Sequence, residues 1–374
     1  MSARTNNVTS IRSSQKKSNS KNAELTVREL EQLLFAAFPA TDALEDDRIG
    51  LLVGEAHAQV GSIALALDAS VDAIEVAATY GCNVLVTHHP VFWNAPSVFL
   101  REASACSPAG SAEAAAVYRA AEQGVALIGM HTNLDCAPAA AGMLLEPVGY
   151  EYRAPLAYPA ELGRELSELA DAADAKKSAR AKWNLVRSGS GASKPVAGLG
   201  QLGVPCKAKS AKVGARTGAK AGTTAEAKAE AKTSAKALSA KASAKSPAPA
   251  QSQTPTLKEL AQRYEEVFGA VARVWGDEDM PIEVLATCSG GGGELVRRVI
   301  ASGASCYVTG EVRYHEALEL AAAGVALIEL GHDRSELPYR FYLRDALLKQ
   351  KIAQERIFII EPLVSWWQPW RTEL

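Results

Sequence analysis

The sequence predicts an α/β fold of two related α/β units, each a mainly parallel sheet covered by helices, with strand ends facing a cleft between them. Three observations carry this expectation. Short continuous apolar runs such as Ile63–Leu67 and Val125–Met130 alternate with helical segments, the pattern of strands covered on both faces. The same alternation begins again beyond a low-complexity stretch. The two halves also match in detail: Gly81-Cys-Asn-Val-Leu-Val-Thr87 resembles Gly303-Ala-Ser-Cys-Tyr-Val-Thr309, and Gly124-Val-Ala-Leu-Ile128 recurs as Gly324-Val-Ala-Leu-Ile328.

Each element has a local reason. Thr26-Val-Arg-Glu29 is a capping box that starts a helix along Leu30, Leu33, Leu34 and Ala37, and Pro39 stops it. Ile63–Leu67 reads as a strand, Ser70 caps a helix through Ala78, and Asn83–Thr87 reads as the next strand. A helix over Ser111–Gln123 leads into the strand Val125–Met130. A second capping box, Thr256-Leu-Lys-Glu259, opens the second half. The resulting division is a basic tail over 1–23, one α/β unit over 24–149 and a connecting segment over 150–202. A linker over 203–254 and a second α/β unit over 255–374 complete it.

Composition narrows the class. The chain of 374 residues is 48% hydrophobic and 22% charged, the profile of a soluble globular protein. No apolar run approaches the length of a membrane helix, and no signal-peptide core follows Met1, so a cytoplasmic protein is expected. The net charge is only −2, but it is unevenly placed. Residues 1–23 hold five basic residues and no acid, and residues 203–252 hold ten against Glu226 and Glu230. The remainder is left at about −15. The tail and the Ala/Lys/Ser segment bury too little apolar surface to offset ordering entropy, so both are expected to be disordered. Weak nucleic-acid contact through the basic segment is the alternative to a solvated linker. Six scattered cysteines with no Cys-x-x-Cys pair read as reduced thiols.

The chemistry concentrates on histidines at strand ends. In Leu85-Val-Thr-His-His-Pro90, adjacent histidines converge only where the strand stops, and Pro90 holds His89 in extended backbone. A polar-loop pair is the plain alternative to a metal site. His131…Asp135 and His332…Glu336 follow the two copies of the repeated strand, and in a helical turn such i, i+4 pairs share a face. Several imidazoles with two carboxylates suit a pair of borderline divalent ions, zinc, manganese, iron or cobalt, which can supply hydroxide at neutral pH. His315 either lines the same cleft or sits on the surface, and His57 reads as a loop residue. Ser289-Gly-Gly-Gly-Gly293 either binds an anion or makes a tight turn. Trp366, Trp367 and Trp370 read as a packing or assembly tail.

These segments, with Gly198-Leu-Gly-Gln-Leu-Gly203 and Val308-Thr-Gly-Glu-Val-Arg-Tyr-His315, together resemble the NIF-three-like dinuclear metal-centre family. Its members are commonly labelled homologues of type 2 GTP cyclohydrolase I. The resemblance runs from about Leu25 to the final strand. It implies two similar α/β units and a toroidal homohexamer. It also implies metal ligation by His88, His89, Asp135, His332 and Glu336, with Glu336 touching both ions. His131 is a ligand candidate by the internal repeat and a supporting or proton-transfer group by the resemblance. The expected function is a metal-dependent hydrolase acting on a small phosphorylated or nucleotide-like substrate, with His131 and His315 as candidate catalytic groups. The rival is a metal-carrying scaffold or regulatory protein without catalysis.

Overall fold

The structure is a computed structural model that describes residues 25–100, 111–158, 194–206 and 254–362. The basic tail, nearly all of the Ala/Lys/Ser segment and the tail tryptophans lie outside the described residues.

The first half runs α1 (Val27–Ala37), β1 (Gly50–Val53), β2 (Ser62–Ala66), α2 (Val71–Thr79), β3 (Cys82–Thr87), α3 (Ala112–Gln123), β4 (Ala126–Gly129) and a short α4 (Thr132–Asp135). Strands β5 (Tyr150–Ala157) and β6 (Leu199–Pro205) follow. The second half runs α5 (Leu257–Phe268), β7 (Arg273–Trp275), β8 (Leu285–Gly291), α6 (Val296–Ser302), β9 (Cys306–Glu311), α7 (Tyr314–Ala322), β10 (Ala326–Glu329) and α8 (His332–Glu336). The chain ends in α9 (Tyr339–Lys349) and β11 (Ile357–Ile359).

Both capping boxes form. Thr26 Oγ1 accepts from the Glu29 N–H at 3.2 Å while Glu29 accepts from the Thr26 N–H at 2.8 Å. Thr256 and Glu259 repeat this at 3.2 and 3.1 Å. The reciprocal bonds satisfy N–H groups that a helix start otherwise leaves orphaned. Ser70 and Ser111 cap α2 and α3 in the simpler one-bond form.

The first sheet has the order β1-β4-β3-β2-β11 and the second β5-β6-β8-β9-β10-β7. Both are mixed. Three of the four pairings in the first sheet are parallel. In the second only β8–β9 and β9–β10 are parallel, because β5, β6 and β7 all join it antiparallel. The alternating burial along β5 fits an antiparallel strand with one face covered. Gly203–Pro205, read from sequence as the start of the linker, continue β6, where Gly203 pairs with Tyr152 on one side and Leu285 on the other.

The halves are interlocked. Strand β11, from the chain's far end, pairs parallel with β2 through Ile357↔Ile63 and Ile359↔Leu65. One apolar cluster joins Leu30, Leu34, Ile63 and Val86 to Leu260, Tyr264, Leu285 and Val308. Burying side chains of this size contributes about 1.5–3 kcal/mol each. Two buried tyrosines in it are satisfied: the Tyr150 hydroxyl donates to Ile282 O and that of Tyr264 to Leu144 O, each at 2.6 Å. Cys82, Cys136, Cys206, Cys288 and Cys306 are free thiols, and burial pushes each of them up from the ordinary range. Among the described residues no helix is long and apolar enough to cross a membrane.

Candidate metal centre

The carboxyl ends of parallel strands are where α/β sheets place ligands, and both sheets bring polar side chains there. His88 and His89 follow β3 directly, and the Thr87 hydroxyl donates to the His89 carbonyl at 2.7 Å, fixing the turn. His131 precedes α4, whose last residue is Asp135. From the second sheet, β10 leads through Gly331 into α8, which carries His332 and Glu336.

Three overlapping groups result: His88, His89 and His131; His89, His332 and Glu336; and His88, Asp135 and Glu336. Within each group the ligand atoms lie within 4.8 Å of one another. Glu336 and His88 are fully enclosed, whereas His332 is the most open member.

Each imidazole is oriented through its outer nitrogen. His88 Nδ1 lies 3.0 Å from the Met130 carbonyl, which only accepts, so that nitrogen carries a proton and Nε2 is turned inward. His89 Nδ1 is held by Asp68 at 2.7 Å, His131 Nδ1 by Asp47 at 2.9 Å and His332 Nδ1 by Glu311 at 2.9 Å. Oxygen acceptors on the outer nitrogen are the usual means of aiming a metal-binding histidine.

The inner atoms do not satisfy one another. His88 Nε2 faces Glu336 Oε1 at 3.6 Å and Asp135 Oδ2 at 3.8 Å, and it has no hydrogen-bond partner. Glu336 Oε2 lies 2.9 Å from His89 Nε2 and 3.3 Å from His332 Nε2, yet neither approach has hydrogen-bonding geometry. Such orphaned buried atoms are costly unless a cation completes them.

The electrostatics carry the same message. Burial works against charge on His89, but the hydrogen bond to Asp68 and the nearby Glu336 carboxylate outweigh it and push the ring up to about 10. The close Glu336 carboxylate leads in raising His332 to about 9. Burial would raise Glu336, yet the surrounding imidazoles hold its carboxyl well below the usual range. Asp47 behaves alike: burial is overcome by the bond to His131, leaving it at about 2. The cluster favours positive charge, and its mixed nitrogen and oxygen donors fit a borderline divalent cation.

All six of the expected strand-end residues therefore converge: His88, His89, His131, Asp135, His332 and Glu336. His315 does not join them; it is exposed on α7 with its ring against Tyr314. His57 is exposed in a loop. The repeat read as His131…Asp135 against His332…Glu336 is out of step by one residue. Ile128 and Ile328 hold equivalent places beside Val86 and Val308, so His131 corresponds to Gly331 and His332 to Thr132. The glycine run also serves packing: Gly290 makes room for Glu336, the carboxylate of Glu316 lies against Gly293, and the Gly292 N–H donates to Glu311 O. Acidic neighbours make it a poor anion cradle.

Sequence reasoning missed Asp47, Asp68 and Glu311, the acids that orient the rings. Asp68 and Glu311 both stand at carboxyl ends of strands, a signal open to a reader looking for acids there. Asp47 sits in a loop with no such cue.

The family model described as Duf34/NIF3 (NGG1p interacting factor 3) matches residues 25–362. The chain belongs to this family. It is 22% identical over 316 residues to a Clostridium acetobutylicum protein named GTP cyclohydrolase 1 type 2 homolog, covering 84% of this chain and 86% of that one. A Mycobacterium tuberculosis protein of the same name is 27% identical over 347 residues, covering 82% and 87%. Among solved structures, Staphylococcus aureus protein SA1388 superposes with a TM-score of 0.60 at 19% identity, over 94% of this chain and 100% of that one. A Bacillus cereus protein related to NIF3 gives 0.60 at 16% identity, over 90% and 96%. These structures share the fold of this NIF3-family chain.

Proposed function

We propose that the protein holds two divalent metal ions and uses them to hydrolyse a small phosphorylated or nucleotide-like substrate. The observation that carries the metal reading is His88 Nε2, a buried ring nitrogen without a hydrogen-bond partner that faces two carboxylates. In this reading His88, Asp135 and Glu336 would hold one ion and His89, His332 and Glu336 the other, so Glu336 would be shared. Zinc, manganese, iron or cobalt suits the donor set. Bound there, a metal pair supplies Lewis acidity that makes water a nucleophile at neutral pH.

The chain's own contribution is orientation and proton handling. Asp68, Glu311 and the Met130 carbonyl fix the three ligand rings. His131, oriented by Asp47 and with its inner nitrogen toward His88 and His89, accepts a proton from the reacting water. His315 is kept as a second proton-transfer candidate from the sequence, though the geometry favours His131. The name carried by the relatives makes GTP ring opening one candidate reaction. We extend the proposal to a homohexamer, as the family resemblance implies, and to a cytoplasmic location.

The test is a panel assay of metal-loaded protein against GTP, phosphoesters and cyclic amides. Turnover of one class that is lost in His131→Ala, with metal content retained, is the expected result. Full metal occupancy without turnover of any class would favour the metal-carrying scaffold instead.

A further inference from the structure

The two enclosed N-terminal members of the cluster, Asp135 and His88, are touched by a pair of side chains from the C-terminal half. Ser289, near the end of β8, donates its hydroxyl to Asp135 Oδ1 at 3.2 Å. A serine has one proton to give, so the 2.8 Å contact between Ser289 Oγ and the Tyr339 hydroxyl must run from tyrosine to serine. The same Tyr339 ring, 2% exposed, stacks on His88 with centroids 4.5 Å apart and planes 28° apart.

Two consequences follow from this arrangement. With Oδ1 of Asp135 occupied, Oδ2 is the oxygen left facing His88. With one face of His88 covered by Tyr339 and its Nδ1 tied to Met130 O, the ring has no freedom to turn its Nε2 away. We infer that Ser289 and Tyr339 are a positioning pair through which the C-terminal half sets the orientation of the N-terminal half's two buried ligands. The inference rests on the metal reading proposed above. It assigns to these residues no contact with substrate or metal.

The test uses the full chain loaded with cobalt(II), whose visible absorption reports ligand geometry. Ser289→Ala and Tyr339→Phe each remove one hydroxyl, and Tyr339→Phe keeps the ring stacked on His88. Each is expected to weaken cobalt affinity by about 10- to 100-fold, the usual range for lost outer partners of a ligand. Each should also alter the cobalt spectrum, while the melting temperature of the metal-free protein changes little. Because the hydroxyls act in series, the double variant should be no weaker than Ser289→Ala, and Ser289→Thr should restore affinity. Wild-type spectra and affinity in both single variants overturn the inference, as does a double variant whose losses add. Wild-type protein that binds no cobalt overturns the metal reading itself, and this inference with it.

Discussion

The two halves lay down the same strands in the same order, β1-β4-β3-β2 and β7-β10-β9-β8, yet place different chemistry at the strand ends. Thr87 and Thr309 occupy equivalent places, each accepting through its carbonyl from the residue after the neighbouring strand, Met130 or Leu330. Beyond Thr87 come His88 and His89; beyond Thr309 come Gly310 and Glu311. The first half thus supplies three imidazoles and Asp135, and the second supplies His332, Glu336 and room for them. That room is specific. A Cβ on Gly310 would lie 2.5 Å from Gly290 O and 2.7 Å from Ser335 Oγ, and one on Gly290, whose φ is +61°, would overlap the Glu336 carboxylate. A repeated scaffold offers equivalent positions, and here the copies divide the donors so that neither holds the full set.

Removing the shared group should do the most damage. Glu336→Ala is expected to lose most of the bound metal by elemental analysis, because two of the three candidate groups need it. Retention of about two ions per chain in this variant would break the division of donors described here.

Next comes a contrast between the halves. His88→Ala removes an enclosed ring bonded to Met130 and stacked on Tyr339, so it should cost both metal and about 1–3 kcal/mol of metal-free stability by chemical denaturation. His332→Ala, from the open side, should lose metal with the metal-free stability nearly unchanged. Equal stability losses would mean that the two sides of the cluster are not distinct.

The pH response sharpens the same point. His89 and His332 are raised from 6.5 to about 10 and about 9 in the metal-free fold. Their contribution to stability is fully present below about pH 6.5 and is lost as pH rises through 9 and 10. Metal must displace those protons, so its affinity should grow over the same window. The melting temperatures of loaded and metal-free protein should therefore diverge between pH 6.5 and 9. A constant gap would contradict the shared proton and metal site.

Smaller effects probe the space left by the second half. Gly310→Ala should destabilise by about 1–3 kcal/mol through overpacking, whereas Gly291→Ala, which meets nothing within 4 Å, should be close to neutral in the same thermal melt. Smallest of all is deletion of residues 207–252, which should leave melting temperature and metal content unchanged if that segment is a linker.

Much of this was legible in the sequence because it depends on local rules. Both capping boxes, the apolar strands and the histidines after them follow from nearest-neighbour chemistry along the chain. What was not legible depends on contacts distant in sequence. Strand β11 joins β2 across nearly the whole chain, and three antiparallel strands joined a sheet whose buried runs suggested parallel pairing. Asp47 reaches His131 across 84 positions, and Ser289 reaches Asp135 across 154. The one-residue offset between the repeats escaped because a histidine four residues before an acid looks alike in either register. On a helix that single residue turns a side chain by about 100°.

The central claim is that both halves complete one metal centre around Glu336. Anomalous diffraction from crystals grown with zinc tests it directly. The account predicts two peaks, one among His88, Asp135 and Glu336 and one among His89, His332 and Glu336. Zinc held elsewhere, or by the histidines of one half without Glu336, would contradict it.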